Sequence, residues 1–313
     1  MKGCARSCLL LLLGWGIAAY AFYRYFVGLR DFGAPMYWGS AVAGLLVVGA
    51  IGYAAGIGTA YRERKMLLEA MAGTPPADGR WAGISGTIHS TTPLTAPISG
   101  ERVVAYEYRI HRDERVGKTM SEIVYYDGKA LAPSTIATRQ GSVRLLSLPA
   151  FTEFEAESIA QSEAARRAKS YVAGTPFTIY DTATKRRTRI EEEWTDDDGQ
   201  YRHDRQHFTR ETDLGDDFHF EEKHVKQGEQ VCAFGLYSRE RGGLIPHPNW
   251  AKQTRLVRGD VSKVAVQLRR RMINYCIAAI VCSVLVYAIV QLYHYKVATQ
   301  AILPVLTPLV AIT

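Results

Sequence analysis

Cysteine is scarce in this sequence, with five among 313 residues. A disulfide scaffold needs a regular, closely spaced set of cysteines, and a structural zinc site needs paired ligands such as C-x-x-C. No two cysteines here form a C-x-x-C pair. The cysteine content therefore argues against a disulfide framework and a zinc domain. The five stand at positions 4, 8, 232, 276 and 282.

Catalytic and nucleic-acid-binding motifs are also missing. The chain contains no G-x-S-x-G, no G-x-x-x-x-G-K-[ST] and no H-E-x-x-H, which carry nucleophilic, phosphate-binding and zinc-hydrolase chemistry respectively. It has no helix-turn-helix, zinc-finger or basic-aromatic RNA signature, although its formal net charge is +7. We therefore expect no cofactor, no nucleic-acid partner and no catalytic residues.

Apolar residues make up 47% of the chain and collect in three long runs, which predict three transmembrane helices at about 8–27, 37–61 and 269–293. The second run has no charged residue between Tyr37 and Tyr61. The first also fits a cleavable signal peptide, since Ala19-Tyr20-Ala21 has the small-x-small pattern. Beyond the third run, residues 294–313 form a short apolar tail, whose prolines argue against a further helix.

Basic residues flank the polar middle of the chain, and we predict that they lie at the membrane surface. Because cytoplasmic flanks of membrane spans carry an excess of Lys and Arg, these residues place the main domain in the cytoplasm, and Lys2 and Arg6 place the N-terminus there. The C-terminal tail would then lie outside, and the lipid bilayer is a predicted partner. The membrane-surface residues are Arg62, Arg64, Lys65, Arg269, Arg270 and Arg271.

Small residues recur at helical spacing along the second run: Ser40, Gly44, Gly52 and Gly56. Such a ridge lets another helix approach closely, as in G-x-x-x-G packing. The partner helix is either the first or third span of the same chain, or the same helix of a second copy in an oligomer.

Between the spans, a linker at 72–80 leads into a domain at 81–268 with many β-branched and aromatic segments. Asp127-Gly128 is typical of a hairpin turn. One inserted helix is predicted from Glu153 to Tyr171, because Thr152 and Glu155 form a capping box. The predicted fold class is α+β: a mostly β domain, compatible with a barrel or OB-like arrangement, plus three membrane helices. The predicted strands are 81–89, 103–111, 122–126, 142–146, 177–180, 187–194, 218–224, 230–237 and 254–257.

Three stretches resemble the GIDE domain, also called BAM for "beside a membrane". They are Gly83 to Ile88 followed by Ala96 to His111, the PF-x-hydrophobic-x-D pattern at 176–181, and G-x-x-V-x-x-x-G at 228–235. The resemblance covers most of residues 79–260. It implies a domain held next to a membrane, as in mitochondrial RING-type ubiquitin ligases and many bacterial membrane proteins. We therefore expect a location in a bacterial inner membrane.

The chain departs from those ligases at the part that makes them enzymes. A RING needs eight Cys or His zinc ligands beyond the last span. In this sequence His294 is the only Cys or His after Tyr293. Val103-Val104 also stand where many relatives have a cysteine. The resemblance therefore does not carry ligase activity with it.

The densest polar stretch, 191–224, contains His203 and His207 at i, i+4 spacing. These two histidines are candidates for a metal site, and the alternative is an exposed, solvated loop or hairpin tip.

Together these features predict a non-catalytic membrane protein that presents its domain as an interaction, adaptor or sensor module for an unknown protein partner. The alternatives are a ubiquitin-ligase-like transferase, or a metal-dependent hydrolase that uses the His203/His207 region.

Overall fold

A computed structural model describes residues 2–29, 34–117, 119–152, 154–156, 159–179, 200–208, 214–215, 217–248 and 253–310. It also describes the side chains of these residues, except at 2–10, 29, 34–36, 116 and 297–310. The chain forms two compact units, Met1–Arg62 with Gln267–Thr313, and Glu63–Val266. The predicted strand at 187–194 lies outside the described residues.

The described residues form four helices and thirteen strands, so the fold is mixed α and β and mostly sheet. In chain order they are α1 Lys2–Leu29, α2 Ala34–Met71, β1 Trp81–Ser90, β2 Leu94–Thr95, β3 Arg102–Val116, β4 Thr119–Leu131, β5 Ser134–Thr138, β6 Gly141–Leu145, β7 Ala150–Thr152, α3 Gln161–Gly174, β8 Thr178–Ile179, β9 Tyr201–Gln206, β10 Phe218–Lys226, β11 Gln230–Ser238, β12 Gly243–Ile245, β13 Arg255–Arg258 and α4 Val261–Val310.

Two helices, not the three expected, are long and apolar enough to cross a membrane within the part of the chain that the structure describes. They are Tyr37–Met71 in α2 and Val261–Lys296 in α4. The first apolar run does form a helix, α1. Its side chains are described only from residue 11, and that part includes Arg24 and several tyrosines, which lower its hydropathy. The prediction of three spans is therefore corrected to two candidate spans.

The helix at the C-terminus is longer than predicted. It does not end at Tyr293 but continues through the predicted tail to Val310, past Pro304 and Pro308. Proline removes one backbone hydrogen bond and crowds the preceding turn. In long apolar helices this local cost is tolerated, because neighbouring groups can satisfy the freed carbonyls.

Five strands of the second unit close into a barrel. Their order is β1, β5, β6, β12 and β11, and β11 returns to pair with β1 from Trp81↔Leu236 to Thr87↔Gln230. β13 and then β7 continue the sheet from the far edge of β11. A closed barrel leaves no unpaired edge along the paired strands. The barrel expected from the sequence is therefore present.

The remaining strands of this unit form an open, half-barrel sheet in the order β10, β3, β4, β9 and β8, with β2 paired to β3. β3 and β4 are a long hairpin, paired from Ala105↔Leu131 to Val116↔Thr119. Asp127 and Gly128 lie within β4 and not at a turn: Gly128 is paired with Tyr108 on one side and with Asp204 on the other. The Asp-Gly turn signal is overridden because both neighbouring strands bond to this stretch.

The inserted helix begins later than predicted. α3 starts at Gln161, after Ala160, which makes no side-chain capping bond. Thr152, the predicted cap, is instead a strand residue of β7 that pairs with Val257 of β13. Sheet pairing therefore prevails over the capping-box signal at this position.

The domain contains two cores of different chemistry. The aliphatic core consists of Ile84, Ile88, Val104, Ala105, Leu131, Ile136, Val143, Leu145, Leu148, Phe154, Val225, Val231, Ala233, Leu244 and Leu256. The tyrosine core consists of Ala96, Ile98, Val103, Tyr106, Tyr108, Ile110, Tyr126, Ala130, Ala164, Ala168, Leu214 and Phe218. Ala164 and Ala168 place α3 on the tyrosine core, and the Gln161 side-chain amide donates to the Phe218 carbonyl.

Candidate functional site

A cleft opens at the edge of the tyrosine core, between α3, β9 and the turn that joins β2 to β3. Its volume is about 490 Å³, within the range typical of small-molecule sites. Its lining combines an apolar wall with hydroxyl and guanidinium groups. The lining residues are Leu94, Thr95, Ala96, Pro97, Gly100, Tyr106, Arg167, Ser170, Tyr171 and Arg202.

The turn from Ala96 to Glu101 forms one wall of the cleft. The Gly100 N–H donates to the Ala96 carbonyl at 3.0 Å, and the Ala96 N–H donates to the Glu101 carbonyl at 2.9 Å. Gly100 has φ +72°, a conformation that glycine adopts without strain. A Cβ at Gly100 would also stand 2.9 Å from Nη1 of Arg167. Glycine at this position therefore both closes the turn and leaves room for a cleft guanidinium.

A buried carboxylate, Glu222 of β10, holds this turn. Its side chain is fully buried, and it accepts hydrogen bonds from the backbone N–H groups of Ile98 at 2.7 Å and Ser99 at 3.3 Å. His224 Nδ1 lies 3.2 Å from Glu222 Oε1. Burial alone would raise the pKa of Glu222, but the bonds from His224, Ser99 and Ile98 hold that pKa below its usual value.

The network continues from His224 to the surface. Nε2 of the buried His224 lies 3.1 Å from Glu101 Oε2, and Lys226 Nζ lies 2.6 Å from the same oxygen. The hydrogen bond from Lys226 is the main reason why the pKa of Glu101 is lowered. Acidic and basic side chains thus alternate from the buried Glu222 to Lys226, and the buried groups in this row have polar partners.

The floor of the cleft is a second polar network, centred on Asp204 of β9. The Asp204 side chain is 4% exposed. Its Oδ1 accepts hydrogen bonds from the hydroxyls of Tyr108 at 2.8 Å and Tyr171 at 2.7 Å. Its Oδ2 accepts one from Arg202 Nε at 2.9 Å. Because this carboxylate has three donors, its burial is compensated.

The tyrosine hydroxyls of the floor remain neutral donors. Burial, together with the nearby Asp204 charge, raises the pKa of Tyr108, and burial is the largest cause of the raised pKa of Tyr171. A phenol with a raised pKa loses its proton less readily, so both hydroxyls stay neutral hydrogen-bond donors at neutral pH. They donate to Asp204, and the network therefore fixes the side chains next to the cleft.

Gly128 explains how β4 accommodates this floor. A Cβ at this position would lie 2.4 Å from Tyr108 Cε1 and 2.6 Å from Asp204 Oδ1. Glycine at position 128 therefore leaves room for the side chains of Tyr108 and Asp204, which approach β4 from its two neighbouring strands.

Two guanidinium groups border the cleft. Arg202 Nη2 donates to the Tyr171 hydroxyl at 3.0 Å, and its side chain is 49% exposed. Arg167 Nη2 lies 2.7 Å from Glu163 Oε1, an i, i+4 pair on the exposed face of α3. Such surface pairs contribute only about 0.3–0.5 kcal/mol, so Arg167 can exchange this partner for another anion at little cost.

The predicted metal candidates do not come together in a metal site. His203 lies in β9, opposite Lys129 of β4, and His207 Nε2 contacts Asp127 Oδ1. Throughout the described ranges, no group of three or more His, Cys, Asp or Glu side chains could hold a metal ion. The region was also compatible with an exposed loop, yet residues 201–206 are a strand between β4 and β8.

The predicted helix-packing residues have different surroundings. A Cβ at Gly44 would stand 2.6 Å from the Ala19 backbone nitrogen of α1, and one at Gly56 would stand 2.8 Å from the Tyr275 ring of α4. Ser40 is buried. Nothing described lies within 4 Å of a Cβ at Gly52. Contacts at Gly44 and Gly56 are thus within the chain, while Gly52 leaves an open stretch on α2.

The predicted membrane-surface residues lie in helices. Arg62, Arg64 and Lys65 belong to α2, and Arg269 to Arg271 belong to α4. Lys65 pairs with Glu69 at 3.8 Å. Their role at a membrane surface stays a prediction.

None of the cleft's polar residues was singled out from the sequence. The strongest available signal was the spacing of Tyr106 and Tyr108 along a predicted strand, because it puts both on one face and a buried tyrosine hydroxyl usually finds a polar partner. Asp204 gave no such signal, since it stands in a run of charged residues that is typical of a solvated loop.

Comparisons of the chain with protein-family models, with curated proteins and with solved structures found no match.

Proposed function

We propose that this protein is a non-catalytic integral membrane protein that presents its β-rich domain beside the bilayer as an interaction or sensor module. The observation that carries the proposal is the position of the domain in the chain. It is connected at one end to the candidate span Tyr37–Met71 and at the other to Val261–Lys296. A domain tethered at both ends in this way stays at the membrane surface, as its resemblance to GIDE/BAM domains also implies.

The proposal includes an orientation. The domain lies in the cytoplasm, and the membrane is a bacterial inner membrane. The basic residues of α2 and α4 support this orientation, because positive charge is retained on the cytoplasmic side. The same residues would attract anionic lipid headgroups.

Reporter fusions to the full chain test both anchoring and orientation. Alkaline phosphatase is active only outside the cytoplasm, and green fluorescent protein fluoresces only inside it. We expect a reporter inserted after residue 199 to report the cytoplasm and a reporter at the C-terminus to report the outside. Release of the protein from membranes by alkaline carbonate, or the same side for both positions, would contradict the proposal.

Metal analysis of the purified full chain separates this function from the metal-hydrolase alternative. The proposal expects no stoichiometric zinc, and no difference between the wild type and the double variant His203→Ala/His207→Ala. A tightly bound zinc ion that disappears in the double variant would favour the enzyme.

A further inference from the structure

We propose that the cleft between α3, β9 and the 96–101 turn binds a small organic anion: a carboxylate or phosphate group attached to an apolar body. This inference concerns a ligand and not membrane anchoring, so it goes beyond the proposed function and does not depend on it.

The charged end of the ligand is indicated by the two guanidinium groups. Arginine is always ionised, and its planar fork matches the geometry of carboxylate and phosphate oxygens. Within the described part of the chain, Arg202 uses Nε for Asp204 and Nη2 for Tyr171, and Nη1 has no partner there. Among the residues that the structure describes, Arg167 pairs only with the exposed carboxylate of Glu163. Both groups line the cleft and can therefore offer N–H donors to an anion in it.

Arg202 is held in place before a ligand arrives. Its Nε is fixed by the buried Asp204, and its guanidinium carbon lies 5.6 Å from the centre of the Tyr171 ring. A donor that is already ordered loses less conformational entropy on binding. Because Tyr108 and Tyr171 also donate to Asp204, that carboxylate does not rely on Arg202 alone for its hydrogen bonds.

The apolar body of the ligand is indicated by the opposite wall. Leu94, Ala96 and Pro97 line the cleft beside the Tyr106 ring. The hydroxyls of Tyr106 and Tyr171 are 3.3 Å apart at its base. A volume of about 490 Å³ holds more than an inorganic ion, and a wall of this kind contributes affinity through apolar burial.

The wall is also fixed by the fold. Glu222 binds two backbone N–H groups of the turn, and Gly100 leaves the space that Arg167 occupies. The cleft is therefore preorganised on three sides: by the turn, by the Asp204 network and by α3.

Isothermal titration calorimetry on the full chain in mild detergent tests the proposal with three probes: phenyl phosphate, benzoate and benzamide, the neutral isostere of benzoate. We expect at least one oxyanion to bind with a dissociation constant below about 1 mM, and at least about tenfold more tightly than benzamide. The relative affinity of phenyl phosphate and benzoate then identifies the preferred oxyanion. Equal binding of all three, or no binding by either anion up to about 10 mM, would overturn the proposal.

Single-charge variants locate the binding. Arg167→Gln and Arg202→Gln should each weaken the preferred anion about tenfold or more, since each removes a charge-assisted hydrogen bond. Arg166→Gln is the matched control, because Arg166 carries the same charge, is exposed on the same helix and does not line the cleft. It should change the affinity less than about twofold. If Arg166→Gln weakens binding as much as Arg167→Gln, the anion is held by general positive charge and the assigned site is wrong.

Arg167→Gln also distinguishes a loss of ligand binding from a loss of protein stability. Arg202→Gln removes a partner of the buried Asp204 and can lower stability, whereas the described partner of Arg167, Glu163, is exposed. Arg167→Gln should therefore keep the wild-type unfolding temperature while losing affinity. Unchanged affinity in Arg167→Gln would overturn its assigned role in the site.

Discussion

The closed barrel and the half-barrel belong to one domain but are built from different chemistry. The barrel strands share the aliphatic core with Val104, Ala105, Leu131 and Val225 of β3, β4 and β10. Almost every side chain in this core is Ile, Val, Leu or Ala, and none carries a charge. The half-barrel contains Tyr106, Tyr108 and Tyr126 in its core, and it buries the charged groups Asp204 and Glu222. The cleft lies in the second region and not in the first.

This difference separates stability from recognition. An aliphatic core stabilises a fold through apolar burial, at roughly 25 cal/mol per Å². Compared with an apolar side chain of similar size, a buried carboxylate contributes little net stability, because its desolvation offsets its hydrogen bonds; neutralising it inside its network is nevertheless costly. Buried polar networks do fix the direction of donors and acceptors. The half-barrel therefore has polar groups in fixed directions, and it gains less stability from apolar burial than the aliphatic core does.

The largest effect is expected where the barrel is closed. A Cβ at Gly86 of β1 would stand 1.9 Å from the Ala137 carbonyl oxygen of β5. The Cβ would be attached to the backbone of β1, and the oxygen belongs to the backbone of β5. Because these two strands are paired, the clash can be relieved only by separating them. Gly86→Ala should lower the free energy of unfolding by about 3 kcal/mol, measured by chemical denaturation in detergent with near-ultraviolet circular dichroism.

Gly174→Ala is the control for that prediction. Gly174 ends α3, and nothing described lies within 4 Å of the position that a Cβ would take there. Alanine at this residue should leave stability unchanged or raise it by up to about 1 kcal/mol. Equal losses in the two variants would show that the barrel closure is not as described.

A smaller effect is expected when the anchor of the cleft wall loses its charge. Glu222→Gln keeps the shape of the side chain but weakens the bonds to Ile98 and Ser99 and the contact with His224. Bonds to a charged acceptor contribute about 1.5–3 kcal/mol, so we expect a loss of about 2 kcal/mol at neutral pH. His111→Gln, at a buried histidine outside this network, is a control for general polar substitution in the same sheet.

The pH dependence of that loss has a definite sign. The pKa of Glu222 is lower in the folded protein than in the unfolded chain, so the folded state binds fewer protons at this group. Its contribution is complete above the unfolded value of about 4.3 and is lost as the pH falls through the folded value. The difference between wild type and Glu222→Gln should therefore be largest above about pH 5 and should shrink below about pH 4. A difference that grows on acidification would contradict this assignment.

The smallest effect compares one hydroxyl in each region. Tyr108→Phe removes one of the three donors to Asp204 and should cost about 1 kcal/mol. Tyr237 packs against the aliphatic core, and its hydroxyl has no partner among the residues described. Tyr237→Phe should therefore be neutral within about 0.5 kcal/mol. Similar losses in both variants would remove the distinction between the two cores.

The sequence predicted the parts of this fold that depend on local pattern. The long strands at 81–89, 103–111, 218–224 and 230–237 were found because they are rich in β-branched and aromatic residues, which favour the extended backbone of a strand. Predictions were wrong where pairing between distant strands determines the local structure. Thr152 pairs with Val257 of β13, and Asp127-Gly128 is paired with a strand on each side. The short strands β5, β9 and β12 were missed for the same reason.

The cleft was beyond sequence reasoning because its parts are far apart in the chain. Glu222 binds a turn that lies more than a hundred residues earlier in the chain. Asp204 binds Tyr108, but Asp204 stands in a run of polar residues that gave no sign of a strand. Only the pairing of β10 with β3 and of β9 with β4 brings these residues together.

The most direct test of this account is hydrogen–deuterium exchange of the full chain in detergent, with and without saturating phenyl phosphate or benzoate, whichever binds more tightly. Ligand contact should slow exchange in the half-barrel and in α3, at the 96–101 turn, residues 161–174 and β9. Exchange in the barrel strands β5, β6 and β12 should not change. Protection confined to the barrel, or no protection at the cleft under saturating ligand, would contradict the claim that recognition belongs to the half-barrel.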